Sequence, residues 1–450
     1  AGSRIPGGSR SRVAINSSGV RLDWILQPAA EPKIKQDKRR PMYTTCTLRK
    51  QQAWGRRIST GLRKLVSVTV LSALAANAWC GDDERRWAKR IHDRLTGVPP
   101  TEAVLDRMEI ELNGSDPIAA AMIAIDGPDN PASKYFYNVT LKNFASPWTN
   151  RDQDVFVPLN DYSATVIGMV RDNVPFDQVL YEDILYKGVD GLTGVTPYSA
   201  ASNAHYQDLE DLNFDLSDTD VLESNVQSTL NGIPSNATAG VMTSRAASEA
   251  FFIAGTNRAM FRFTLMNHMC TDLEPLKDTS LPPDRIRQDV SRSPGGDSRI
   301  FLNRCIGCHT GMDPMAQAFA YYNFDETSGR LVYTAGQVQP KYLINADNFR
   351  PGYVTTDDSW DNYWRSGQNS VLGWGPEIPE GSRNGAKTLG QEFAGSQAFA
   401  RCQGIKVYRS VCLSEPSETD LTDLLTASGF AASFNMKDLF AHAAEACMGS

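Results

Sequence analysis

The amino-acid sequence predicts a mainly α-helical protein: a helical N-terminal domain, then a loop-rich domain closed by C-terminal helices. Three observations carry this. Apolar residues recur at helical spacing from 82 to 187 and again from 389 to 446. Clusters of Gly, Pro, Asn and Asp separate the runs. The chain has 450 residues, 41% of them hydrophobic, which suits two or three units with packed cores.

The elements follow in order. Trp87, Ile91 and Leu95 mark a first helix, closed by Gly97; Pro99-Pro100-Thr101 opens a second, with Val104, Leu105 and Met108 on one face. His92 reads as a core-edge residue rather than a ligand. Ile118–Ile125 is a short apolar run before a Gly-Pro-Asp-Asn-Pro turn. Residues 133–147 predict an aromatic-rich helix. Residues 161–173 and 176–187 predict two more, broken at Pro175. Residues 191–245 are Gly/Ser/Asn/Asp-rich and acidic, which reads as a linker or insertion between 79–190 and 246–450. Ala246–Cys270 returns to helical spacing. Residues 331–380 predict a loop-rich aromatic wrap with one small hairpin. Leu389–Cys412, Leu421–Gly429 and Asn435–Ala446 predict closing helices.

The N-terminus differs from the rest. Residues 1–78 carry 15 Lys+Arg against 3 Asp+Glu, leaving 30 against 49 in the remainder. A strongly acidic body repels phosphates, so nucleic acid is not the expected partner. It suits a redox protein with a basic docking surface. Within 42–78, basic residues precede the apolar run Leu65–Ala76 and the small-x-small end Ala76-Asn77-Ala78, as in a secretory signal peptide. Residues 1–41 lack periodicity and read as a non-native or disordered leader before Met42.

The chemistry concentrates at Cys305-Ile306-Gly307-Cys308-His309. Two thiols spaced by two residues and followed by an imidazole form a c-type haem attachment pattern. Each thiol can join one haem vinyl group, and the histidine then lies under the iron as proximal ligand. The competing readings are half a zinc site or a redox dithiol. A zinc ribbon needs a second ligand pair, which the sequence lacks. The expectation is one covalent haem c per chain and a bacterial periplasmic or extracellular location.

For the second axial ligand the order is Met436, then Met269, then His268. Met312 and Met315 lie too close to His309 in sequence. Cys402–Cys412 is the expected disulfide, with Cys80–Cys447 a second guess and Cys270 left over. Pro314, with Asp313 as cap, is expected to start a helix over Ala316–Tyr322.

The stretch from Cys305 through Met312-Asp313-Pro314 to Ala318-Phe319 and Asn323-Phe324-Asp325 resembles the cytochrome c-like domain of planctomycete-type cytochrome proteins. Their pattern is Cys-x-x-Cys-His, a three-residue gap, Asp-Pro, a small-residue helix and a Phe-Asp end. Arg94-Leu95-Thr96-Gly97-Val98-Pro99-Pro100 is similar to a helical domain of the same group, and Gly390–Val411 to its C-terminal helical domain. Met315, Ala316 and Tyr322-Asn323 depart from the usual Gly, Leu and Glu. The resemblance covers about half of the chain after residue 78. It implies a mainly α fold with a loop-rich cytochrome c-like haem domain and says little of the reaction.

Three functions are open. One is an exported mono-haem cytochrome passing single electrons, free or within a membrane-associated redox complex. Another is a structural or accessory haem-bearing subunit. The last is a peroxidase-like enzyme, in which Arg262 or His268 would stand on the distal side.

Overall fold

The structure is a computed structural model; it describes residues 83–253, 255–285, 298–342 and 353–448. The expected leader, the signal segment and Cys80 lie outside them.

The first helix, α1, covers 83–96 and buries Ile91 and Leu95. Gly97 (φ 74°) ends it in a left-handed conformation that a side chain disfavours. The Thr101 hydroxyl then accepts the Val104 N–H at 3.3 Å and caps α2 (Glu102–Asn113). Asp116 caps α3 (Pro117–Asp126) in the same way. The helix expected over 133–147 runs over 134–149, with a π-helical stretch at Phe136–Leu141 and a 3₁₀ turn at Ser146–Thr149.

Helix α4 (Asp161–Arg171) is buried along its whole length, so the rest of the fold packs round it. A capping box of Asn160 and Ser163 opens it. The helix expected over 176–187 is instead a 3₁₀ turn, Phe176–Leu180, followed by strand β1 (Ile184–Gly188). Strand β1 pairs antiparallel with β2 (Leu222–Val226), Ile184 opposite Val226 and Gly188 opposite Leu222. That long-range pairing, which local periodicity does not report, overrides the helical pattern. Helix α5 (Ala204–Asp211) lies between the two strands in sequence, and His205, Tyr206 and Leu209 bury one face.

The run expected as one helix over Ala246–Cys270 is two, α6 (Arg245–Phe251) and α7 (Arg258–His268). Asn257 (φ 56°) breaks the run, and its amide donates to the Phe319 and Tyr322 carbonyls at 2.8 and 2.9 Å. Cys305 ends a π-helical stretch, Phe301–Cys305, and caps helix α8 (Ile306–Ala316), which carries the rest of the Cys-x-x-Cys-His motif and packs on α7. Pro314 does not start a new helix; it lies inside α8. Strands β3 (Tyr322–Asp325) and β4 (Arg330–Tyr333) make a small antiparallel hairpin.

After short 3₁₀ turns come α9 (Gly385–Ala394), α10 (Gln397–Cys412), α11 (Glu418–Ser428) and α12 (Met436–Ala446). Ser396 accepts the Phe399 N–H at 3.1 Å and separates α9 from α10, which sequence spacing had joined. One hydrophobic cluster takes in α1–α4, α6–α8 and the closing helices. Among the described residues no helix is long and apolar enough to cross a membrane.

Candidate haem-binding site

Helix α8 shows a sharp division of exposure. Cys305, Ile306, Cys308 and His309 are half-buried, whereas Gly307 and every residue from Thr310 to Tyr322 are buried. Positions i, i+3 and i+4 share one helical face, so the two thiols and the imidazole emerge together. The opposite face is clamped. The Thr310 hydroxyl donates to the Asp278 carbonyl at 2.9 Å, and the Asp278 N–H returns 2.9 Å to the Gly307 carbonyl. A Cβ at Gly307 would come 2.6 Å from Lys277 Cγ, and one at Gly311 would overlap the Trp364 indole. The two glycines let the 276–280 turn and Trp364 lie directly on the helix.

His309 is oriented by a carboxylate. Its Nδ1 lies 3.1 Å from both oxygens of Asp313, one turn along α8. Asp313 is wholly buried and accepts a fork from Arg258: Nε to Oδ1 at 2.7 Å and Nη2 to Oδ2 at 2.9 Å. Burial opposes the carboxylate charge, yet Arg258 and His309 hold its pKa well below the usual carboxylate range. An ionised carboxylate only accepts, so Nδ1 carries the proton. Nε2 has no partner among the described residues, and the ring is 18% exposed. This is the tautomer and open nitrogen that iron ligation requires.

Cys305 and Cys308 are free thiols, while the four other described cysteines are paired. The residues at the motif therefore fit a covalent haem: two available thiols, one open imidazole nitrogen and a shared half-buried face. No group of three or more His, Cys, Asp or Glu among the described residues is placed to hold a metal ion, so the zinc reading gains nothing.

The pairings differ from those expected. Cys270 joins Cys402 and Cys412 joins Cys447, with Cα separations of 5.1 and 5.5 Å. Cys402 and Cys412 lie on the same helix, ten residues apart, or about 15 Å along its axis. No bridge can span that. Cys447, guessed as the partner of Cys80, is taken by Cys412.

The candidates for the second axial position lie apart. Met436 is buried at the start of α12, whose packing partners include α3, α10 and α11. Its neighbour Lys437 donates to Asp126 at 2.6 Å and to the Arg171 carbonyl at 2.7 Å, tying that end to the C-terminal ends of α3 and α4. His268 is deeply buried, with Nε2 2.7 Å from the Tyr162 hydroxyl and its ring stacked on Phe399. Burial pushes its proton affinity well down. Met269 follows directly, at the end of α7, the helix that packs on α8. Arg262 is held by Asp272 through Nε at 2.7 Å and Nη2 at 2.5 Å.

Two residues of the site escaped sequence reasoning. Asp313 read as a helix cap, though its i+4 spacing from His309 was a usable signal. Arg258 lies 55 residues before Asp313, and nothing local marks it.

No protein-family model, no curated protein and no solved structure matches the chain.

Proposed function

We propose that this chain is an exported mono-haem c-type cytochrome that passes single electrons. The observation that carries the reading is the shared half-buried face of Cys305, Cys308 and His309, with both thiols free and Nε2 open. The Cys-x-x-Cys-His spacing within residues 305–309 supports it.

Cys305 and Cys308 would hold the haem as thioethers, each thiol adding with its hydrogen across one vinyl double bond, so that no oxidant would be needed. His309 would hold the iron through Nε2, and Asp313 fixes its ring in the tautomer that leaves Nε2 able to do so. When bound, the haem supplies one iron that cycles between ferric and ferrous. Met269 would be the second residue to hold the group, because its helix packs on the motif helix. Trp364 and the 276–280 turn exclude water from the clamped face. The acidic body steers a basic redox partner. Attachment of haem c outside the cytoplasm fits the export signal read in 42–78.

A peroxidase-like enzyme is the second reading, favoured by the carboxylate on His309. It is weakened because Arg262 is held by Asp272 and His268 by Tyr162.

The test is expression alongside a haem c maturation system. A haem stain that survives a denaturing gel, lost in Cys305→Ala/Cys308→Ala, is expected. A low-spin ferric spectrum with a Met–iron charge-transfer band, lost in Met269→Leu, supports the carrier. A high-spin haem that binds cyanide rapidly supports the enzyme. Absence of covalent haem overturns both.

A further inference from the structure

The support of His309 is more elaborate than orientation demands. In a helix, a histidine ring can be fixed by a single backbone carbonyl. Here Nδ1 faces both oxygens of a buried carboxylate, and that carboxylate is itself forked by a guanidinium from another helix. Arg258 stands in the first turn of α7. Asn257, immediately before it, is fully buried and anchors to the carbonyls of Phe319 and Tyr322, just beyond the end of α8. The segment that follows the motif helix thus sets the position of the arginine that controls its histidine.

Such a chain has an electrostatic consequence. A carboxylate drawing on the Nδ1 proton makes the imidazole a stronger donor at Nε2, and a stronger donor favours the more positive metal. The guanidinium opposes this, since charge engaged by Arg258 is not available to His309. Ligand basicity tuned by second-shell hydrogen bonds is one of the levers on haem potential.

We propose that Asp313 and Arg258 act as an opposed pair of positioning residues that sets the redox poise of a haem held by His309, Asp313 lowering its potential and Arg258 limiting the fall. The inference rests on the haem reading above. In the redox step one electron from a one-electron donor protein converts ferric to ferrous iron. No bond to the chain forms or breaks, and the Nδ1 proton stays between His309 and Asp313. A merely structural ion pair would also hold α7 to α8, but it would not give shifts of opposite sign.

The experiment uses the full chain with covalent haem. Midpoint potentials are measured by spectroelectrochemical titration, with Fe–C and C–O stretches of the ferrous carbonyl, formed in a Met269→Leu background that leaves room for carbon monoxide, as a second readout of the donor strength of His309. Asp313→Asn is expected to raise the potential. A tenfold change in the ferric–ferrous equilibrium is expected, about 59 mV for one electron. Arg258→Gln is expected to lower it, with Arg258→Lys in between. The carbonyl stretches should move in opposite directions in the two variants. Potentials that are unchanged, or shifted in the same direction by both substitutions while haem is retained, overturn the proposal and leave the haem reading intact. If Asp313→Asn does not fold, the arginine pair carries the test: no fall in the order Lys, then Gln, overturns it. Wild-type protein without covalent haem removes the haem reading and this inference together.

Discussion

Three histidines in this chain are structural, and their partners show why. The Gly188 N–H donates to His205 Nε2 at 2.8 Å, while Nδ1–H donates to the Thr196 carbonyl at 2.7 Å. That pattern needs the neutral ring, and burial lowers its proton affinity further. His92 is engaged similarly: Nδ1 lies 2.9 Å from the Val98 carbonyl and Nε2 3.2 Å from the Asn130 amide. His268 has Tyr162 and Phe399. By NMR, the His205 ring is expected to keep one chemical shift from pH 7.5 to 6; a titration near pH 6.5 would contradict its assigned bonds. If the chain carries the haem we propose, replacing His268 with Phe should leave its absorption spectrum unchanged. It should cost about 1–3 kcal/mol in urea unfolding, because the Tyr162 hydroxyl loses its buried partner.

At the level of elements, the motif helix depends on close approach. Gly311 is where Trp364 lies on α8. Gly311→Ala must push the indole or the helix aside, and overpacking of this kind costs about 1–3 kcal/mol. A lowered thermal midpoint is the expected readout. An unchanged midpoint would mean that Trp364 is not seated there. Elements built on local signals were legible beforehand: α2 with its Thr101 cap, and the helical segments across 134–149. Elements that depend on distant partners were not. The β1–β2 pair joins residues 34 to 42 apart in sequence, from Gly188↔Leu222 to Ile184↔Val226. The breaks at Asn257 and Ser396 are single-residue backbone events inside continuous apolar patterns.

Across the whole molecule, two effects set stability. The first is covalent. Non-reducing peptide mapping should recover Cys270–Cys402 and Cys412–Cys447; a Cys402–Cys412 peptide would refute the pairing. Cys270 and Cys402 are separated by 132 residues, and opening that link by Cys402→Ser should lower unfolding stability by about 2–4 kcal/mol. The second is protonic. Unfolded histidines titrate near 6.5 (approximately), so the unfolded chain takes up protons that His92, His205 and His268 refuse when folded. Stability is therefore complete above about pH 6.5 and falls as pH drops below it. Asp358, pushed up to about 6 by burial and by Asp357, works in the other direction at lower pH. Urea midpoints should fall between pH 7.5 and 6; a flat profile there would argue against buried neutral rings.

The Cys-x-x-Cys-His spacing, the acidic body and the mainly helical class could be read from residues alone, because each depends on local spacing or on composition. Cys305, Cys308 and His309 are neighbours on one turn whatever surrounds them. The disulfide partners, the β1–β2 pair and the Arg258–Asp313–His309 chain could not be read that way. Each joins residues brought together by packing round α4 and α7, and no local pattern encodes a distance across the fold.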